Sequence, residues 1–172
     1  MCGPETPSST PRIGARVDLS SPSGRGSLGN LLFLNPTSPS SAHATHVRFF
    51  QPATAKPTTS CKSPFDDDSL LVSIHLTGDL TKPLADAGLM QQFTLRSPPS
   101  STPSSPINSP HDDGVPNGYF EETALGAALS LQVGSDGIIG RRVSMRRGEE
   151  LLADGIVGFN SLPVVLGGGG GL

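Results

Sequence analysis

The sequence predicts a predominantly disordered chain, with at most one short strand and two marginal helices. Three observations predict it. Ser, Thr, Gly and Pro make up 73 of the 172 residues, a composition that offers little apolar surface to offset the entropy of ordering the backbone. Nine of the 17 prolines directly follow a Ser or Thr, a low-complexity bias. There is no Trp and one Tyr, so the rings that dominate core burial are scarce. The net charge of −3 is too small to force expansion, and the expected ensemble is compact and weakly structured.

Residues 1–64 read as Ser/Thr/Pro-rich coil, because each proline restricts its own φ and the residue before it. Two apolar islands interrupt this coil, at 28–34 and 47–50. Residues 65–96 form a weakly ordered acidic and apolar segment. Within it, SLLVSIHL at 69–76 carries β-branched Val72 and Ile74 in a short apolar run, the pattern of a strand. Residues 97–118 read as a linker, with five prolines between 98 and 110.

Residues 119–166 read as a conditional helical region. Phe120, Ala124, Ala127 and Leu131 fall at helical spacing, and Glu121 and Glu122 suit a first turn. This predicts a helix near 119–133, ended by Gly134, and a second near 146–154, ended by Gly155. Residues 167–172 form a Gly tail.

Several functional classes are disfavoured. The four histidines are scattered, Cys2 and Cys61 have no metal-ligand spacing, and no P-loop or nucleophile-elbow motif is present. The expectation is therefore no enzyme, no catalytic or metal-ligating residue and no cofactor. The small basic cluster at 141–147 is not a nucleic-acid footprint. No apolar run is long enough for a membrane helix. A reducing compartment, cytoplasmic or nuclear, suits two free thiols, and a monomer is expected.

The functional reading rests on short motifs. The Ser/Thr-Pro pairs, among them Ser21, Ser38, Ser63, Ser97, Thr102, Ser105 and Ser109, resemble proline-directed kinase substrates. Each phosphate would add roughly −1.5 to −2 charges. Arg141-Arg142-Val143-Ser144 resembles a basophilic kinase site, with Ser144 as acceptor and guanidinium groups that pair with carboxylates in a kinase cleft. The acidic run 66–68 followed by Leu70, Leu71, Val72 and Ile74 resembles a SUMO-interacting motif, which binds by adding an edge strand. HVRF at 46–49, with Val47 and Phe49, resembles the docking motif for protein phosphatase 1.

Together these imply a disordered regulatory or adaptor protein. Its partners would be kinases, phospho-dependent readers, SUMO and protein phosphatase 1, with no nucleic acid and no membrane. Two other readings fit the composition: a small α+β binding module with a disordered linker, and a fragment or weakly selected reading frame.

Overall fold

The computed structural model describes residues 12–23, 26–51, 69–95 and 119–161, and they form one strongly curled, all-β half-barrel. The strands are β1 (Arg12–Ser20), β2 (Ser27–Leu34), β3 (His43–Gln51), β4 (Leu70–Ile74), β5 (Gln91–Leu95), β6 (Tyr119–Val133), β7 (Gly137–Ile139), β8 (Arg142–Arg147) and β9 (Glu150–Ser161). Among the described residues the only helical element is a single 3₁₀ turn, Leu84–Ala87. The spatial order is β5-β4-β8-β9-β1-β2-β3-β6-β7. Every pairing is antiparallel except β6 with β7.

The curl follows from the alternation of side chains. Ala15, Val17 and Leu19 of β1, Leu31 and Phe33 of β2, and Val47 and Phe49 of β3 all face one side and are buried. They meet Leu70, Val72 and Ile74 of β4, Leu95 of β5, Val143 and Met145 of β8, and Ala153 and Val157 of β9 in one core. A sheet with one apolar face must cover that face, and this one does so by rolling onto itself. Phe93 of β5 meets Phe33 of β2 edge to face, with centroids 6.2 Å apart, although four strands lie between them in the sheet. The edge strand β5 also comes up against β6.

Close strand approach needs Gly14. A Cβ there would lie 2.1 Å from the Phe33 carbonyl oxygen, and its φ of +95° disfavours any other residue. At the end of β7 the chain stays on the sheet. The Gly140 amide donates to the Val157 carbonyl at 2.8 Å, and the Val157 amide donates to the Arg141 carbonyl at 2.9 Å. The chain thus passes directly from β7, beside β6, to β8, between β4 and β9.

The structure corrects the sequence reading of fold class. The chain is not predominantly disordered. Three strands, β1 to β3, lie within the stretch read as coil. They form because their apolar residues alternate with period two: Ala15, Val17 and Leu19, then Leu31 and Phe33, then Val47 and Phe49.

The helix expected near 119–133 is β6, which pairs with β3 from His46↔Ala124 to Arg48↔Glu122 and again at Ala44↔Leu129. Three extra residues on β6 are accommodated between those stretches as a bulge. Alternation inward of Leu129 and Leu131 wins over the helix propensity of the alanines.

The helix expected near 146–154 is a hairpin. β8 turns at Gly148-Glu149 into β9, with Arg147 opposite Glu150, and β9 continues through Gly155.

Candidate functional site

On β4 and β8 the outward face is polar but covered. The segment 75–90, which connects β4 to β5 and contains the 3₁₀ turn, is bonded to this face through the carbonyls of Gly88, Asp79 and Lys82. Five polar residues are buried among the described residues: Ser73, His75, Arg141, Arg142 and Ser144. Buried polar groups must be hydrogen-bonded, and their partners show what this region is built to hold.

Ser144 of β8 stands opposite Ser73 of β4. The His75 Nδ1 lies 2.8 Å from the Gly88 carbonyl oxygen. A carbonyl only accepts, so Nδ1 donates to it, and in a neutral imidazole Nε2 then accepts from the Ser144 hydroxyl, also at 2.8 Å. The Gln92 amide donates to the Ser73 hydroxyl at 2.8 Å. A Ser–His contact with an oriented imidazole has the outline of an activated nucleophile, but Ser144 is 0% exposed. The pair acts as a tie between β8, β4 and the Gly88 backbone.

Arg142 pairs with Asp154 of β9. Its Nε and Nη2 donate to Oδ2 at 3.0 and 2.5 Å, a bidentate approach to one carboxylate oxygen. Its remaining Nη1 donates to the Lys82 carbonyl at 2.8 Å and reaches the Asp79 carbonyl at 3.4 Å. Arg141 has no carboxylate partner among the described residues. Its guanidinium donates to four backbone carbonyls instead: Leu76, Gly134, Ser135 and Gly137. A planar, permanently charged fork suits such a multi-carbonyl cradle. Gly78 completes the fastening, since a Cβ there would sit 2.0 Å from the Gly140 carbonyl oxygen.

These anchors share one consequence. Each holds backbone beside an exposed apolar side chain. Arg141 holds Leu76 and the residues following Val133, Arg142 holds the residue before Leu80, and His75 holds the residue before Leu89. Leu76, Leu80, Leu89 and Val133 are the exposed large hydrophobic residues of the described chain, at 58, 48, 55 and 62% exposure. All lie at one end of the half-barrel, on 76–89 and at the close of β6.

The charged residues on these two segments that are not buried are mainly acidic. Asp79 is half-buried, Asp86 and Asp136 are exposed, and Lys82 is the one exposed cation on these two segments. The Asp79 carboxyl is held below its ordinary range, first by the Thr81 hydroxyl and then by the Thr81 amide, with Lys82 and Arg142 adding attraction.

The residues singled out from sequence are not gathered at this end. Leu70, Val72 and Ile74 point into the core and Leu71 points outward, half-buried. β4 is hydrogen-bonded to β5 on one edge and β8 on the other, which leaves no free edge for strand addition. Val47 and Phe49 are core residues of β3, between β2 and β6. Ser144 is enclosed mid-strand. Ser21 follows β1, half-buried and bonded to Ser23, and Ser38 is exposed in the turn between β2 and β3. Ser63, Ser97, Thr102, Ser105 and Ser109 lie outside the described residues.

Sequence reasoning missed the arginine anchors and the apolar end. The local signal was slight: Leu80 stands alone among Gly, Asp, Thr and Lys, Leu89 follows Gly88, and Leu76 closes the apolar run read as a strand. Comparison with protein families, with curated proteins and with solved structures finds no match to this chain.

Proposed function

We propose that this domain is a non-catalytic protein-binding module, and that its binding face is the end carrying Leu76, Leu80, Leu89 and Val133. The reading of the chain as a disordered, phosphorylation-controlled adaptor is set aside, because the motif residues 46–49, 70–74 and 142–144 lie in paired strands of a folded sheet. The α+β module is likewise replaced by an all-β one.

One observation carries the proposal. Exposed apolar side chains scattered singly are ordinary. Here the four exposed large ones share one end, and each adjoins backbone fastened by a buried polar side chain. Contiguous exposed apolar surface rimmed by polar residues is the mark of an interaction site. Fixing the backbone beforehand lowers the ordering cost of binding. Two further observations favour binding over catalysis. The concave side is filled by core side chains such as Phe33 and Phe49, and the Ser144–His75 pair presents no hydroxyl to solvent.

The test is selection from a random-peptide display library on the folded domain, repeated on Leu80→Ser/Leu89→Ser. Both leucines are about half exposed, so the variant keeps its fold, which its thermal transition verifies. Peptides that bind the parent and not the variant support the reading. Selection that is unchanged by the substitutions, or that yields no binder, overturns it.

A further inference from the structure

The charge around the apolar end identifies the class of partner. Its two segments, 76–90 and 133–141, carry the carboxylates Asp79, Asp86 and Asp136 against the exposed ammonium of Lys82. Arg141 and Arg142 also belong to this end but are buried and turned inward. Arg141 is spent on four carbonyls, and Arg142 on Asp154 and two carbonyls. The hydrogen bonds from Thr81 and the nearby cations keep Asp79 ionised at neutral pH. The segments that carry the leucines and follow Val133 thus present three carboxylates and one ammonium beside exposed apolar side chains, a net negative charge.

Resting on the binding-module reading, we infer that this end receives a basic, amphipathic segment of another protein: an apolar anchor, such as Leu, Phe or Trp, flanked by Lys or Arg. The anchor contacts Leu76, Leu80, Leu89 and Val133, and the flanking cations face Asp86 and Asp136. Complementary rim charge acts on encounter rate and choice of partner more than on the buried contact. It is screened within about 8–10 Å at ordinary ionic strength. Acidic segments meet like charge and are rejected.

The experiment uses the display selection with three baits: the parent domain, Leu80→Ser/Leu89→Ser, and Asp86→Asn/Asp136→Asn. Both aspartates are exposed, and neither is among the anchoring groups described above. The expected result has three parts. Parent-selected peptides carry Lys or Arg beside an apolar core. Their affinity for Asp86→Asn/Asp136→Asn falls about three- to tenfold at low salt. The difference closes as sodium chloride is raised.

Leucine-dependent peptides that are neutral or acidic, with affinity unmoved by the aspartate substitutions, overturn the inference and leave the binding face intact. Binding that ignores the leucine substitutions overturns the binding face and the inference with it.

Discussion

The Phe93 ring stands perpendicular to that of Phe33, centroid to centroid at 6.2 Å, joining β5 to β2 across the inside of the curl. Phe33 is 0% exposed, so this contact lies in the core and fixes how tightly the sheet rolls. Phe33→Ala is expected to lower stability by about 3–5 kcal/mol, the range for truncating a buried aromatic ring. A double-mutant cycle with Phe93→Ala should return about 0.5–1.5 kcal/mol of coupling. Chemical denaturation of the four proteins checks this, and additive losses would show that the rings act separately.

Arg141 offers the clearest test of the apolar end. Its four carbonyl acceptors belong to residues on either side of the exposed patch. Arg141→Met fills much of the same volume and leaves those carbonyls without their donor. The expected loss is about 2–4 kcal/mol. Amide exchange should accelerate first at 76–78 and 134–137, before the core strands. Uniform acceleration across the sheet would mean that Arg141 supports the whole fold rather than this end.

Two glycines should respond in opposite ways. At Gly14 an added Cβ meets the Phe33 carbonyl oxygen at 2.1 Å, and φ is +95°. Gly14→Ala is expected to cost about 2–4 kcal/mol, since backbone blocks the way. Gly126, in the β6 bulge, has nothing within 4 Å of such a Cβ and no positive φ. Gly126→Ala should leave stability unchanged or raise it by about 0.4–1 kcal/mol, through the unfolded chain. Melting curves of the two variants suffice.

Acid should loosen the segment 77–82. The Thr81 hydroxyl and amide depress the Asp79 pKa in the folded protein below its unfolded value of about 3.9. A depressed carboxyl binds protons more weakly when folded. Its stabilisation is therefore present above the unfolded pKa and lost as pH falls through the folded one. Asp79→Asn is expected to lower stability modestly in the neutral range, where the carboxylate contributes, and to flatten stability against pH below about pH 4, where the parent has already lost that contribution. Carboxyl chemical shifts of Asp79 in Thr81→Ala should titrate nearer the ordinary value.

Ser144 should be a poor kinase substrate in the folded protein. The Arg-Arg-Val-Ser order is present, but Ser144 is enclosed and bonded to His75. A basophilic kinase is expected to phosphorylate a synthetic peptide spanning 138–150 and the unfolded chain, but not the native domain. Stoichiometric labelling of native protein, read by mass spectrometry, would show that β8 opens on the time scale of the assay.

Some of the architecture was legible in the residues. The apolar run at 69–76 lies where β4 runs, whereas Gly134, read as the end of a helix, follows strand β6, and Gly148, inside the second expected helix, is where β8 turns into β9. The alternation in 15–19, 31–33 and 47–49 was there to be seen, but composition and proline content masked it. Proline counts said little about β1 to β3, because the described prolines in 12–51 lie between strands, at 22, 36 and 39.

By itself the sequence determined where the chain can turn and which side of each strand is apolar, since both depend on neighbouring residues. The tertiary structure alone decided that 119–133 is strand. There, pairing with β3, more than seventy positions away in sequence at Arg48↔Glu122, outweighs local helix propensity. It also decided the apolar end. Leu76 is fastened through Arg141, 65 positions later, and Gly88 through His75. Such ties join groups whose chemistry is ordinary in sequence and becomes informative when burial obliges each donor to find an acceptor.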